Sequence, residues 1–115
     1  MKAIYAPLTF SWRGSHSGGW LIGVVVVAPR KPLIVEWRVP QRVEGAASGG
    51  FDLKDTLEAY EQRICQSKDT SGGVEERLSQ LKAGWAFGTV QIGDSEYISG
   101  EFEQLTDFAC SDCGL

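Results

Sequence analysis

The run from Trp20 to Val27, Trp-Leu-Ile-Gly-Val-Val-Val-Val, carries no charge and is dominated by β-branched side chains. Gly19 and Pro29 bound it closely, so it reads as a strand rather than a helix. Apolar side chains on both of its faces predict a central strand covered on both sides. Residues Ala3 to Trp12 alternate instead, with Ile4, Ala6, Leu8, Phe10 and Trp12 on one face and Tyr5, Thr9 and Ser11 on the other. That period predicts a strand with one buried face. Pro7 has no N–H to give a ladder, which places this strand at an edge or makes it bulge there. The Gly- and Ser-rich loop Arg13 to Gly19 joins the two as a hairpin. Ala-Pro-Arg-Lys-Pro then forces a tight reversal. From Leu33 to Val39 the alternation returns, with Leu33, Val35, Trp37 and Val39 sharing one face and Ile34, Glu36 and Arg38 the other. These three segments predict a meander.

Beyond the glycines and alanines of Gln41 to Gly50 the period changes to that of a helix. Asp52 suits an N-cap, with Asp55 in the first turn. Leu53, Leu57, Tyr60 and Ile64 then fall on one helical face in a helix expected to end near Lys68. Asp-Thr-Ser-Gly-Gly interrupts the pattern. Val74, Leu78 and Leu81 resume it up to Gly84, read as the left-handed residue that closes the second helix. Trp85 to Ile92 and Glu96 to Phe102 flank Gly93-Asp94-Ser95, a turn signal that predicts a final hairpin. Residues 104–115 show no clear period and read as a flexible tail. The expected fold is a single α+β domain spanning residues 1–115, a two-layer sandwich in the order β-β-β-α-α-β-β. Its mostly antiparallel five-stranded sheet carries two helices on one face.

Composition narrows the class without naming a chemistry. A chain of 115 residues with 43% hydrophobic content buries a core without staples. The longest uncharged stretch, Gly14 to Pro29, is interrupted by Gly and Ser and falls short of the roughly 20 apolar residues of a membrane span. Residues 1–10 lack the basic region, apolar core and cleavage site of a signal peptide. Three cysteines, an odd number, argue against a secreted disulfide framework, so a reducing cytoplasm is expected. Charge is unevenly placed: residues 1–43 hold six basic residues and one acid, whereas from Asp94 onward there are six acids and no base. Acidic positions keep a small domain soluble, and they also bias association.

Each chemical motif has a plain structural reading beside it. Cys110-Ser-Asp-Cys113-Gly114 resembles one knuckle of a zinc site, but four ligands are needed, and Cys65 and His16 are isolated residues. No metal site is expected, and a redox role lacks the strand-to-helix setting of such pairs. His16, the only histidine, stands between Ser15 and Ser17, whose side chains in an extended segment point away from it. The segment Gly-Ser-His-Ser-Gly has histidine where a hydrolase elbow has serine. No glycine pattern of a nucleotide site follows a strand, and no cofactor is expected. The glycine- and alanine-rich segment from Gly45 to Gly50 could direct backbone N–H groups toward an anion, but Asp52 would repel it. Arg30, Lys31, Arg38 and Arg42 form a modest basic set, and the acidic C-terminal third argues against nucleic acid.

The expected function is that of a small cytoplasmic, non-catalytic interaction module, of inhibitor or adaptor type, that binds another protein through the acidic final hairpin. Tyr97, Glu101 and Glu103 would line one face of its last strand, where an exposed edge pairs with a partner chain. A second reading is a small-molecule domain with a pocket between sheet and helices lined by tryptophans such as Trp37 and Trp85, with Trp20 at the mouth of the His16 loop. A third is an enzyme using His16. Oligomeric state does not follow from the sequence, and no membrane partner is expected.

Overall fold

The computed structural model describes residues 1–10, 20–39, 53–65, 72–84 and 90–114. In chain order these form β1 (Lys2–Phe10), β2 (Trp20–Val27), β3 (Ile34–Trp37), α1 (Leu53–Cys65), α2 (Val74–Gly84), β4 (Val90–Ile92), β5 (Glu96–Ser99), a 3₁₀ turn (Phe102–Gln104) and α3 (Leu105–Cys113). The fold is α+β, with an antiparallel five-stranded sheet and the order β-β-β-α-α-β-β-α. The meander stands, with β2 between β1 and β3.

The period of each strand decides which layer it meets. Ile4, Ala6, Leu8 and Phe10 of β1 join Val25 and Val27 of β2 and Val35 and Trp37 of β3 on the first face. There they pack against Leu57, Tyr60 and Ile64 of α1 and Val74, Leu78 and Leu81 of α2, as the helical spacing predicts. A bulge keeps β2 in phase with this core. Leu8 pairs with Gly23 and Thr9 with Leu21, so Ile22 has no residue opposite it on β1 and the parity of β2 flips there. Ile22 and Trp20 thereby face the same core as Val25. Gly84 is the last residue of α2 rather than one beyond it.

The second face is covered as well, by residues that the sequence pattern leaves as a tail. Ala3, Tyr5, Val24, Val26 and Ala28 meet Leu105, Ala109 and Cys110 of α3, with Ile34, Ile98 and Phe102 at the margin. A third helix therefore adds a layer to the expected sandwich. Gly114, left-handed at φ 91°, closes α3 by donating its N–H to Cys110 and Ser111. The charge-free run of β2 thus has a physical reason: Val24 and Val26 are buried by one layer and Val25 and Val27 by the other. Full burial of each such side chain contributes roughly 1.5–3 kcal/mol.

Two strand expectations change. Of the two alternatives for Pro7, the edge strand falls and the irregular ladder holds, because β1 pairs with β2 on one side and, with a one-residue shift of register at Pro7, with both β4 and β5 on the other. Gly93-Asp94-Ser95 is not a hairpin turn either. β4 and β5 both run antiparallel to β1, at Leu8–Phe10 and Lys2–Tyr5 respectively, as one edge run with a jog between them. Pro7 supplies the cause. Gly93 donates its N–H to the Pro7 carbonyl at 2.9 Å, and Pro7 has no N–H to return, so the ladder breaks at that point and resumes one residue out of register.

Candidate functional site

The outer edge of β5 is where backbone, cleft and charge come together. Gly100 donates to the Met1 carbonyl at 3.0 Å, which fixes the parity of the β1–β5 ladder. Ile98 and Glu96 turn their backbone groups toward Ala3 and Tyr5 of β1, while those of Tyr97 and Ser99 point outward. Among the described residues no strand pairs with β5 on that outer side.

Tyr97 lies opposite Ile4 and shares the first face with it. Its ring is 50% exposed, with the Lys2 ammonium 4.9 Å from its centroid. Beside it an open cleft of about 290 Å³ separates β5 from α2, with Ile4 and Leu78 at its floor and Glu75 and Lys82 on its helical wall. The charges of that wall balance.

On the second face they do not. Asp94, Glu96, Glu101, Glu103, Asp107 and Asp112 are all exposed. Arg38 pairs with Asp107 at 2.6 Å and lies 3.7 Å from Glu36. The hydrogen bond to Asp107, with the nearby charges, raises the affinity of the Arg38 guanidinium for its proton. The other five acids have no ion-pair partner among the described residues.

Two of these carboxylates converge on Tyr5. Its hydroxyl, on a residue only 2% exposed, donates to Asp112 of α3 and lies 3.1 Å from Glu96 of β5. Burial, followed by those hydrogen bonds and the negative charges, moves the Tyr5 hydroxyl well above its ordinary pKa of 10.0. The phenol stays neutral and ties α3 to the sheet edge.

Of the residues singled out by sequence, Tyr97, Glu101 and Glu103 are exposed around this edge. They do not line one face of one strand: β5 ends at Ser99, Glu101 follows it, and Glu103 lies in the 3₁₀ turn. Trp20 is half-buried against the first core, far along β2 from β5. His16 and Trp85 lie outside the described residues. Cys110 is buried with its thiol pKa raised, chiefly by burial, and Cys113 is half-buried. The Cys113 thiol points back to the Cys110 carbonyl at 3.5 Å within the last turn of α3. Among the described residues no three His, Cys, Asp or Glu side chains converge as metal ligands, and no helix is long and apolar enough to cross a membrane.

Sequence reasoning passes over Tyr5, Asp112 and Arg77. Tyr5 is assigned only to a strand face, and its partners come from β5 and α3. Arg77 is 7% exposed on α2 and donates to the carbonyls of Ala28 at 2.9 Å and Lys31 at 2.6 Å, holding the β2–β3 turn. Its signal would have been a single cation at the edge of an otherwise apolar stripe. No family model, curated protein or solved structure matches the chain.

Proposed function

We propose that the protein is a non-catalytic interaction module, acting in the cytoplasm as an inhibitor or adaptor, that binds another protein through the acidic surface around β5, the 3₁₀ turn and α3. One observation carries this reading. Of the six exposed acids from Asp94 onward, five lack an ion-pair partner among the described residues, in a region without a single Lys or Arg. Uncompensated charge of one sign steers encounter with a partner of opposite charge and suppresses like-charged ones. The intact chain, immobilised at low salt, is expected to retain a partner that elutes as salt rises, and Glu101→Lys with Glu103→Lys is expected to weaken that retention. Equal retention by the double variant removes the reading.

A second reading rests on Trp37. Its indole N–H is buried without a hydrogen-bond partner among the described residues, although buried donors ordinarily find one. A small molecule bearing an acceptor, seated between the sheet and the helices, would satisfy it. Quenching of tryptophan fluorescence by a ligand, lost in Trp37→Phe, supports this reading; quenching retained in that variant counts against it.

A further inference from the structure

We infer that the partner segment adds a strand to the outer edge of β5, and that it is an extended stretch alternating apolar with basic residues; this rests on the protein-binding reading above. The backbone supplies the first argument. Tyr97 and Ser99 present outward N–H and C=O groups with no strand beside them among the described residues, and an extended chain completes such a ladder without distorting the sheet.

Alternation supplies the second. Every pairing in this sheet is antiparallel, and antiparallel addition would put partner residues opposite Tyr97 and Ser99 in hydrogen-bonded pairs on the first face. Their side chains meet the Tyr97 ring and, at the floor of the cleft, Ile4 and Leu78, which suit apolar groups, while Glu75, Ser79, Lys82 and Ser95 line the rest of it. The intervening residues emerge on the second face beside Glu96, with Asp112 across the Tyr5 hydroxyl from it. Two carboxylates that share one phenolic proton and have no ion-pair partner among the described residues suit a Lys or Arg there.

Charge also decides against the other occupant of an open edge, a second copy of this chain. Pairing β5 with β5 would bring Glu96 and its acidic neighbours against their own copies, and like charges facing across strands destabilise the pair. Short length and negative charge keep the edge from self-association while leaving it open to a basic strand.

The test uses the full chain and a fluorescein-labelled decapeptide of alternating lysine and valine, followed by anisotropy. Binding is expected. Methylation of the valine amide nitrogens is expected to weaken it at least about tenfold, and methylation of the lysine amide nitrogens to change it less than about twofold. Ser99→Pro removes one outward N–H without touching the ladder to β1, and is expected to weaken binding at least about tenfold with an unchanged melting temperature. Absence of peptide binding overturns the inference, as does equal binding by the valine-methylated peptide or by a folded Ser99→Pro. A peptide of five lysines followed by five valines that binds as tightly as the alternating one overturns strand addition while leaving the acidic-surface reading intact, since that is tested separately at Glu101 and Glu103. Dimerisation of the free chain that Ser99→Pro abolishes also overturns it, because a second copy then occupies the edge.

Discussion

The hydroxyl of Tyr5, on the internal strand β1, donates to the carboxylate of Asp112 in the last helix, and this bond joins residues 107 positions apart. It fixes α3 over the sheet at its polar end, while Leu105, Ala109 and Cys110 fix it at the apolar one. Because burial and the two carboxylates raise the Tyr5 pKa above 10.0, the folded state keeps a proton that the unfolded chain releases. The stabilisation is complete below pH 10 and is lost as pH rises beyond it, with a limiting slope of about 1.4 kcal/mol per pH unit. Urea midpoints measured between pH 8 and pH 11.5 are expected to fall more steeply for the wild type than for Tyr5→Phe. Parallel curves would count against a buried, neutral Tyr5.

Gly23 faces Trp37 across the β2–β3 ladder, and a Cβ there would run into the Glu36 carbonyl oxygen and come within 2.9 Å of the Trp37 ring. The first clash is with backbone, which gives way only if β3 shifts. Gly23→Ala is therefore expected to cost about 1–3 kcal/mol, read as a lower urea midpoint with an unchanged slope. It is also expected to move Trp37 emission to the red as the indole gains water.

The turn from β2 to β3 holds Arg30 at φ 61°, with Lys31 donating back to Ala28 at 3.3 Å. Pro29 followed by a positive φ is the geometry of a type II turn, where glycine is the favoured residue at Arg30's position. Arg77 holds this turn by two hydrogen bonds. Arg77→Met is expected to lower stability by about 2 kcal/mol, with Arg77→Lys recovering only part because one ammonium cannot reproduce the fork. Arg30→Gly relieves the left-handed strain and is expected to raise stability by about 0.5–1 kcal/mol. Thermal melts of the three variants check both directions.

The two thiols of α3 are expected to differ in reactivity. Cys110 is fully buried with its pKa raised, so little thiolate forms and reagent reaches it only on opening of the helix. Cys113 is half-buried near the end of α3. In a Cys65→Ser background, a disulfide reagent at pH 8 should modify Cys113 at least about tenfold faster than Cys110, and mild denaturant should close the gap. Equal rates in the native state would mean that α3 is not seated on the sheet.

The parts of the fold that local patterns dictate were legible from the residues, and the parts fixed by distant partners were not. Val24 to Val27 demanded cover on both faces, yet the helix that supplies the second cover carries only Leu105, Ala109 and Cys110 in a short stretch with no side-chain N-cap bond. Its one clear mark was Gly114 at the left-handed closing position. The edge Tyr97–Ser99 was visible as a strand, but which of its backbone groups face outward depends on the Met1–Gly100 bond. The convergence of Tyr5, Glu96 and Asp112 depends on three elements meeting, and no spacing along the chain encodes it. Gly93-Asp94-Ser95 has turn chemistry whether the chain reverses or merely jogs, and the deciding residue, Pro7, lies on another strand.

That dependence makes Pro7 and Gly93 an energetically coupled pair. A Cβ on Gly93 would lie 2.9 Å from Pro7 Cγ and 3.5 Å from the Pro7 carbonyl oxygen that its own N–H approaches. Gly93→Ala alone is expected to destabilise the edge by about 1–2 kcal/mol, since the proline ring cannot rotate away as a flexible side chain would. Pro7→Ala removes the obstructing ring and restores an N–H on the β4 side, at the cost of a freer unfolded chain. Contacting residues such as these depart from additivity, so the double variant is expected to be more stable than the sum of the single changes by about 1 kcal/mol. A double-mutant cycle in urea measures that difference directly. A coupling near zero would mean that the jog between β4 and β5 is set by Asp94 and Ser95 rather than by Pro7.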